Sequence, residues 1–203
     1  MVVLHYTAMA SAAASLKRLC DPAAEVSAHF LIGEDGALCS LVAEEARAWH
    51  AGAGSWGAIT DVNSASIGIE LQNDGASPYP EAQMAALEGL LGDILARHGL
   101  PPEAVIAHSD LAPGRKSDPG PRFDWRRLAR RGRAVWPIAR VPGDFLSDAK
   151  VFGYTADVDP DAILTAFRNR FRPGATGPCA AEDAALAADL AARFPVDANA
   201  PSA

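Results

Sequence analysis

The stretch SIGIELQNDGASPYPEAQMAALEGLLGDILARHGLPPEAVIAH, residues 66–108, decides the fold class. At its start Ile67, Ile69 and Leu71 alternate with Ser66, Gly68 and Glu70. That period of two gives a strand with one oily face and with Glu70 at the far end of the other. Met84, Leu87, Leu91, Ile94 and Leu95 then recur at helical spacing, so a helix is predicted from about Glu81 to His98, stopped by Gly99 and the pair Pro101 and Pro102. A short second strand, Val105 to Ala107, ends at His108. Strand, helix and strand in this order predict an α/β domain: a mixed central β-sheet flanked by helices.

Upstream, Val2 to Leu4 reads as a strand leading into His5, followed by a helix from about Met9 to Cys20. His29 to Ile32, the turn Gly33 to Gly36 and the run Ala37 to Val42 read as a hairpin with a four-residue loop. Downstream, the arginines from Arg126 to Arg133 suit the solvated face of a helix closing the domain. Trp136-Pro137 and Pro142-Gly143 then break regular structure. Beyond them Asp159 and Pro160 form a helix start, Ile163, Leu164, Phe167 and Phe171 form one apolar stripe, and Leu186, Leu190 and Phe194 define a last helix. With a short helix near Phe145 to Ala149 they predict a small three-helix module. The expected layout is a domain over 1–133, a linker over 134–143, the module over 144–196 and a tail over 197–203.

The chain has 203 residues, 49% hydrophobic and 21% charged, enough to bury one good core. Its formal charge of -7 argues against nucleic acid as a partner, because counterion-driven binding needs a basic surface. No run approaches the ~20 apolar residues that span a bilayer. Cys20, Cys39 and Cys179 are odd in number and lack paired short spacings, so neither a disulfide framework nor a four-cysteine zinc site is expected. Together with the lack of a basic and apolar leader, unpaired thiols lead us to expect a cytoplasmic protein, with the periplasm as the alternative if a leader precedes Met1.

The chemistry concentrates in AHSDLAPGRKSDPG at 107–120, LHYTA at 4–8 and SIGIELQN at 66–73. VSAHFLIGEDG at 26–36 and AWHAG at 48–52 complete the set. In this order and approximate spacing they resemble the zinc N-acetylmuramoyl-L-alanine amidases of the amidase-2 family, relatives of phage amidases and of peptidoglycan recognition proteins. The resemblance covers about residues 2–130 and implies hydrolysis of the amide between the lactyl group of N-acetylmuramic acid and L-alanine, in peptidoglycan or muropeptides.

A catalytic zinc site needs three nitrogen or oxygen ligands on rigid elements and one open position. His5 and His108 each stand at the end of a predicted strand, and Asp118 lies in a Pro/Gly-bounded loop ten residues further on. Spacing alone does not select these three; the resemblance assigns them to one Zn2+. It also implies Glu70 as the general base and Lys116 as the cation that stabilises the oxyanion. His29, Trp49, His50, Asn63 and Arg115 match family positions near the substrate groove, and for each a packing role is the alternative. His50 is also the chief rival for a metal position.

The C-terminal module resembles small helical peptidoglycan-binding domains through VFGYTADVDPDAILTAFRNRFRPG at 151–174, but ATGPCAAEDAAL departs from their usual glycine-aspartate turn. That puts its glycan affinity in doubt and leaves bracing of the amidase domain as its other role. Two further readings stand beside the amidase: a binding protein that holds the muropeptide uncut, and a zinc amidase acting on another acyl-peptide.

Overall fold

The structure, a computed structural model, describes residues 1–196, so the expected tail at 197–203 lies outside the described residues. Five strands form one sheet in the order β3-β2-β4-β1-β5: β1 is Val2–Tyr6, β2 Phe30–Ile32, β3 Leu38–Ser40, β4 Ile67–Leu71 and β5 Val105–Ala107. β1 pairs in parallel with both β4 and β5, and β2 pairs in parallel with β4. Only β3, joined to β2 by the hairpin, runs antiparallel. β1 continues two residues past the expected end because β4 pairs with it as far as Leu71, which places His5 inside the strand.

Helices cover both faces. On one side α3, Glu81–His98, lays Leu87, Leu91 and Ile94 against Leu4, Ile67, Ile69 and Leu71, whose alternation made them the oily face. Burying each such side chain stabilises the fold by about 1.5–3 kcal/mol. The helix stops where Gly99 takes a left-handed conformation (φ 60°), which a residue without a Cβ adopts freely. α5, Trp125–Arg130, adds Trp125 and Leu128 to the same core.

The opposite face carries Val3 and Ile106, in one core with three C-terminal helices: α6 Phe145–Phe152, α7 Pro160–Phe171 and α8 Ala181–Arg193. α7 starts as its sequence suggests, with the Asp159 side chain accepting from the Asp161 N–H and Pro160 in the first turn. Between α5 and α6 there is no helix or strand, yet this segment packs: Ala134 and Val135 are buried, and the Trp136 ring lies edge-on to Phe171 at 5.8 Å. The remaining α-helices among the described residues are α1, Ala12–Leu19, capped by the Ser11 side chain, the four-residue α2, Val62–Ala65, and α4, His108–Leu111. No helix among the described residues is long and apolar enough to cross a membrane.

Candidate active site

Parallel pairing brings the chemistry together at the C-terminal ends of three strands, where open α/β sheets place their ligands. His5 on β1 stands in register with Glu70 on β4. His108 opens α4 directly after β5, on the other side of β1. The loop bearing Asp118 returns because the Ser109 N–H donates to the Asp118 carbonyl (3.0 Å) and the Tyr79 hydroxyl to the Pro119 carbonyl (2.8 Å). Tyr6 and Ser117 add a hydroxyl contact of 2.7 Å.

His5 Nδ1, His108 Nδ1 and Asp118 Oδ2 form a buried triangle with all three edges 2.9 Å. The hydrogen bonds behind it assign the protons. His108 Nε2 faces the Ala51 carbonyl at 2.8 Å, and a carbonyl only accepts, so the proton is on Nε2 and Nδ1 offers a lone pair. The Ser66 hydroxyl donates to the Val62 carbonyl (2.5 Å), so its oxygen accepts from His50 Nε2 (3.4 Å), and His50 Nδ1 in turn accepts from His5 Nε2 (3.0 Å). His5 Nδ1 therefore also presents a lone pair. His50 fits behind His5 because its ring lies over Gly68, where any Cβ would strike it.

Three lone pairs aimed at one another require an electrophile between them. A proton does not serve at neutral pH: burial, then the neighbouring His108, lowers His5 to about 4. Burial pushes the Asp118 carboxyl up, but the hydrogen bonds with His108 and His5 outweigh it and hold the group below the usual carboxylate range. One anionic oxygen and two neutral imidazoles suit a divalent cation. On ~2.0 Å bonds at tetrahedral angles such ligands stand roughly 3.3 Å apart, so this triangle needs to open by only about 0.4 Å.

The triangle forms part of the floor of a cleft of about 450 Å³ that Glu70, Lys116 and Trp49 also line. Part of the Glu70 side chain reaches the cleft, while its Oε2 is buried with no hydrogen-bond partner among the described residues. Burial first, then the Asp118 charge, pushes Glu70 up to about 8, against the pull of Lys116. Trp49 is 52% exposed at the rim, and its backbone N–H donates to the Ser27 hydroxyl (2.8 Å). Arg115 also lines the cleft, but its guanidinium donates to the carbonyls of Ala51 (2.7 Å) and Ala53.

Other expected groove residues sit elsewhere. His29 and Asn63 are not among the residues lining the cleft. His29 Nδ1 accepts from the Gly68 N–H (2.9 Å) and its Nε2 faces the Ala46 carbonyl (3.1 Å). Asn63 Oδ1 accepts from the N–H groups of His50 (3.0 Å) and Ala51 (2.8 Å). Both brace the segment that carries His50. Tyr6 and Arg18 line the cleft without having been singled out. Tyr6 follows His5 in the same motif and was findable; Arg18, at the end of α1, carries no local signal.

The sequence profile of the N-acetylmuramoyl-L-alanine amidase family, Amidase_2, matches residues 1–121. The chain belongs to that family. Among its fellow amidases, N-acetylmuramoyl-L-alanine amidase AmiD of Escherichia coli K12 is 36% identical over 97% of this chain and 84% of its own length. The solved complex of E. coli AmiD with the substrate anhydro-N-acetylmuramic acid-L-Ala-D-gamma-Glu-L-Lys matches with a TM-score of 0.85 at 36% identity, over 96% of this chain and 89% of that one. AmpDh3 of Pseudomonas aeruginosa, solved with anhydromuramic pentapeptide, gives a TM-score of 0.87 at 34% identity, over 96% and 92% of the two chains. The 1,6-anhydro-N-acetylmuramyl-L-alanine amidase AmpD of Enterobacter cloacae is 40% identical over 51% of this chain and 55% of its own. Enzymes of this amidase family are zinc-dependent, and the donor triangle fits one such ion.

Proposed function

We propose that this chain hydrolyses the amide joining the lactyl group of N-acetylmuramic acid to L-alanine in peptidoglycan-derived muropeptides. One observation carries the reading: the converging donors of His5, His108 and Asp118 share a cleft with an acid, Glu70, whose buried oxygen has no partner among the described residues. When bound, zinc supplies Lewis acidity for the amide carbonyl and for water.

His5, His108 and Asp118 hold the ion, and the hydrogen bonds of Ala51 and His50 keep both imidazoles in the ligating tautomer. Glu70 takes the proton of the attacking water and passes it to the departing alanine nitrogen. Lys116 stabilises the negative charge that develops on the carbonyl oxygen. Trp49 offers an exposed ring at the rim on which the sugar can stack, and Arg115 adds positive charge to the cleft for a carboxylate of the stem peptide. The C-terminal helices brace this domain through a shared core. With all three donors and Glu70 in place, a binder that leaves the bond intact is the weaker reading.

Incubated with anhydro-muropeptide, the purified chain is expected to release free peptide and muramyl sugar, resolved by mass spectrometry. A chelator should abolish release and added zinc restore it. Tight binding of intact muropeptide without cleavage in zinc would overturn the reading, as would cleavage at another bond.

A further inference from the structure

Two side chains of the C-terminal region reach into the amidase domain and close on one carboxylate. Asp110, 0% exposed, lies two residues beyond His108. Its Oδ2 accepts from the Ala107 N–H (2.9 Å), capping the turn that His108 opens, and from Arg170 Nη1 (2.5 Å). Its Oδ1 accepts from the Tyr154 hydroxyl (2.6 Å). Arg170, on α7 and 1% exposed, also donates through Nη2 to the Val105 carbonyl (3.0 Å). One guanidinium thus ties the residue three before His108 to the residue two after it.

Arg170 stands where the two cores meet. Its guanidinium lies 4.2 Å from the ring centre of Trp125 in the α3 core and 4.8 Å from that of Phe171 in the C-terminal core. As a stability device this is a poor choice, since well-packed apolar residues of similar volume often replace buried ion pairs at no loss. Apolar packing, however, supplies no directional bonds to the Val105 carbonyl before His108 and to the Asp110 carboxylate after it.

We propose that Arg170 and Tyr154 are positioning residues for the metal centre: by fixing Asp110 and Val105 they hold the imidazole of His108 in the donor triangle, so that zinc affinity depends on the C-terminal helices. The proposal rests on the metal-centre reading above and goes beyond the bracing role. It predicts that loosening these bonds costs affinity for zinc even in protein that remains folded, because the turn carrying His108 then samples positions from which Nδ1 misses the ion.

The test uses the full chain and three variants. Arg170→Lys keeps the charge but loses the fork, Tyr154→Phe removes one hydrogen bond, and Leu190→Val loosens the C-terminal core without touching Asp110. Zinc dissociation constants come from competition with a chromophoric chelator, the ligand field from the visible spectrum of the cobalt(II) form, and stability from urea unfolding of the metal-free proteins. Arg170→Lys is expected to weaken zinc binding by about tenfold, the lower end of what partners of metal ligands contribute, and Tyr154→Phe by roughly threefold, in keeping with the loss of one hydrogen bond. The cobalt spectrum should change in Arg170→Lys, and Leu190→Val should keep the wild-type zinc constant within about twofold despite its lower stability. If Arg170→Lys does not fold, Tyr154→Phe carries the test. Zinc constants within twofold of wild type for the folded Arg170 and Tyr154 variants would overturn the proposal and leave a packing role. Failure of the wild-type protein to bind zinc would instead overturn the metal-centre reading itself.

Discussion

Replacing Glu70 with Gln is expected to lower kcat by roughly 10²–10⁴-fold, the usual contribution of a positioned general base. Bound zinc should stay at the wild-type level, because Glu70 is not one of the three donors of the triangle. The amide is nearly isosteric with the carboxyl and carries no base. The pH profile separates this loss from a mere disturbance of the cleft. A base must be ionised to act, so kcat/KM should rise with pH through the Glu70 pKa. In the metal-free protein burial and the Asp118 charge place that pKa at about 8, and a bound dication beside it draws the value down. An acid limb below 8 is therefore expected in the zinc enzyme. It should be absent from the residual activity of Glu70→Gln. A variant that keeps full turnover with an unchanged acid limb would remove Glu70 from the mechanism.

Removing a ligand has the second large effect, and it reaches further than turnover. His5→Ala deletes one corner of the triangle and, with it, the acceptor chain through His50 and Ser66 loses its first donor. Two ligands are too few for the four-coordinate arrangement zinc adopts, so zinc content should fall to near zero and cleavage to the uncatalysed level. Thermal unfolding reports the same loss. Zinc at about 1,000 times its dissociation constant stabilises the native state by about 4 kcal/mol. In a chain of this size that raises Tm by roughly 8–16 °C. The wild-type protein should show this rise over its own metal-free form, and His5→Ala should show none over its metal-free form. A zinc-dependent rise that survives in His5→Ala would place the ion elsewhere.

What could be read in advance depended on the range of the interaction. Helix α3 was legible because its stripe and its Gly99 stop are local. The alternation in β4 likewise put Glu70 on the face opposite Ile69. The hairpin strands came out shorter than expected, β3 covering Leu38–Ser40, because apolar residues such as Val42 continue past the last paired position. His5, His108 and Asp118 were found through motifs, whereas the parallel registers that bring them together join residues about 65 and 100 positions apart and leave no local trace. His29 and Asn63 show the limit of motif matching. Matched to family positions near the groove, they instead bond to backbone groups. Arg170 shows the same limit in a helix. A charged residue next to an apolar stripe reads as solvated, and its partners Asp110 and Val105, 60 and 65 residues away, make its burial tolerable.

The most direct test of the account is anomalous diffraction from crystals of the zinc-loaded protein, recorded on both sides of the zinc absorption edge. One peak per chain is expected, about 2.0–2.2 Å from His5 Nδ1, His108 Nδ1 and an Asp118 carboxylate oxygen, with the fourth position open toward Glu70. Zinc-soaked crystals with no peak between those three side chains, or with a peak only on other residues, would contradict it.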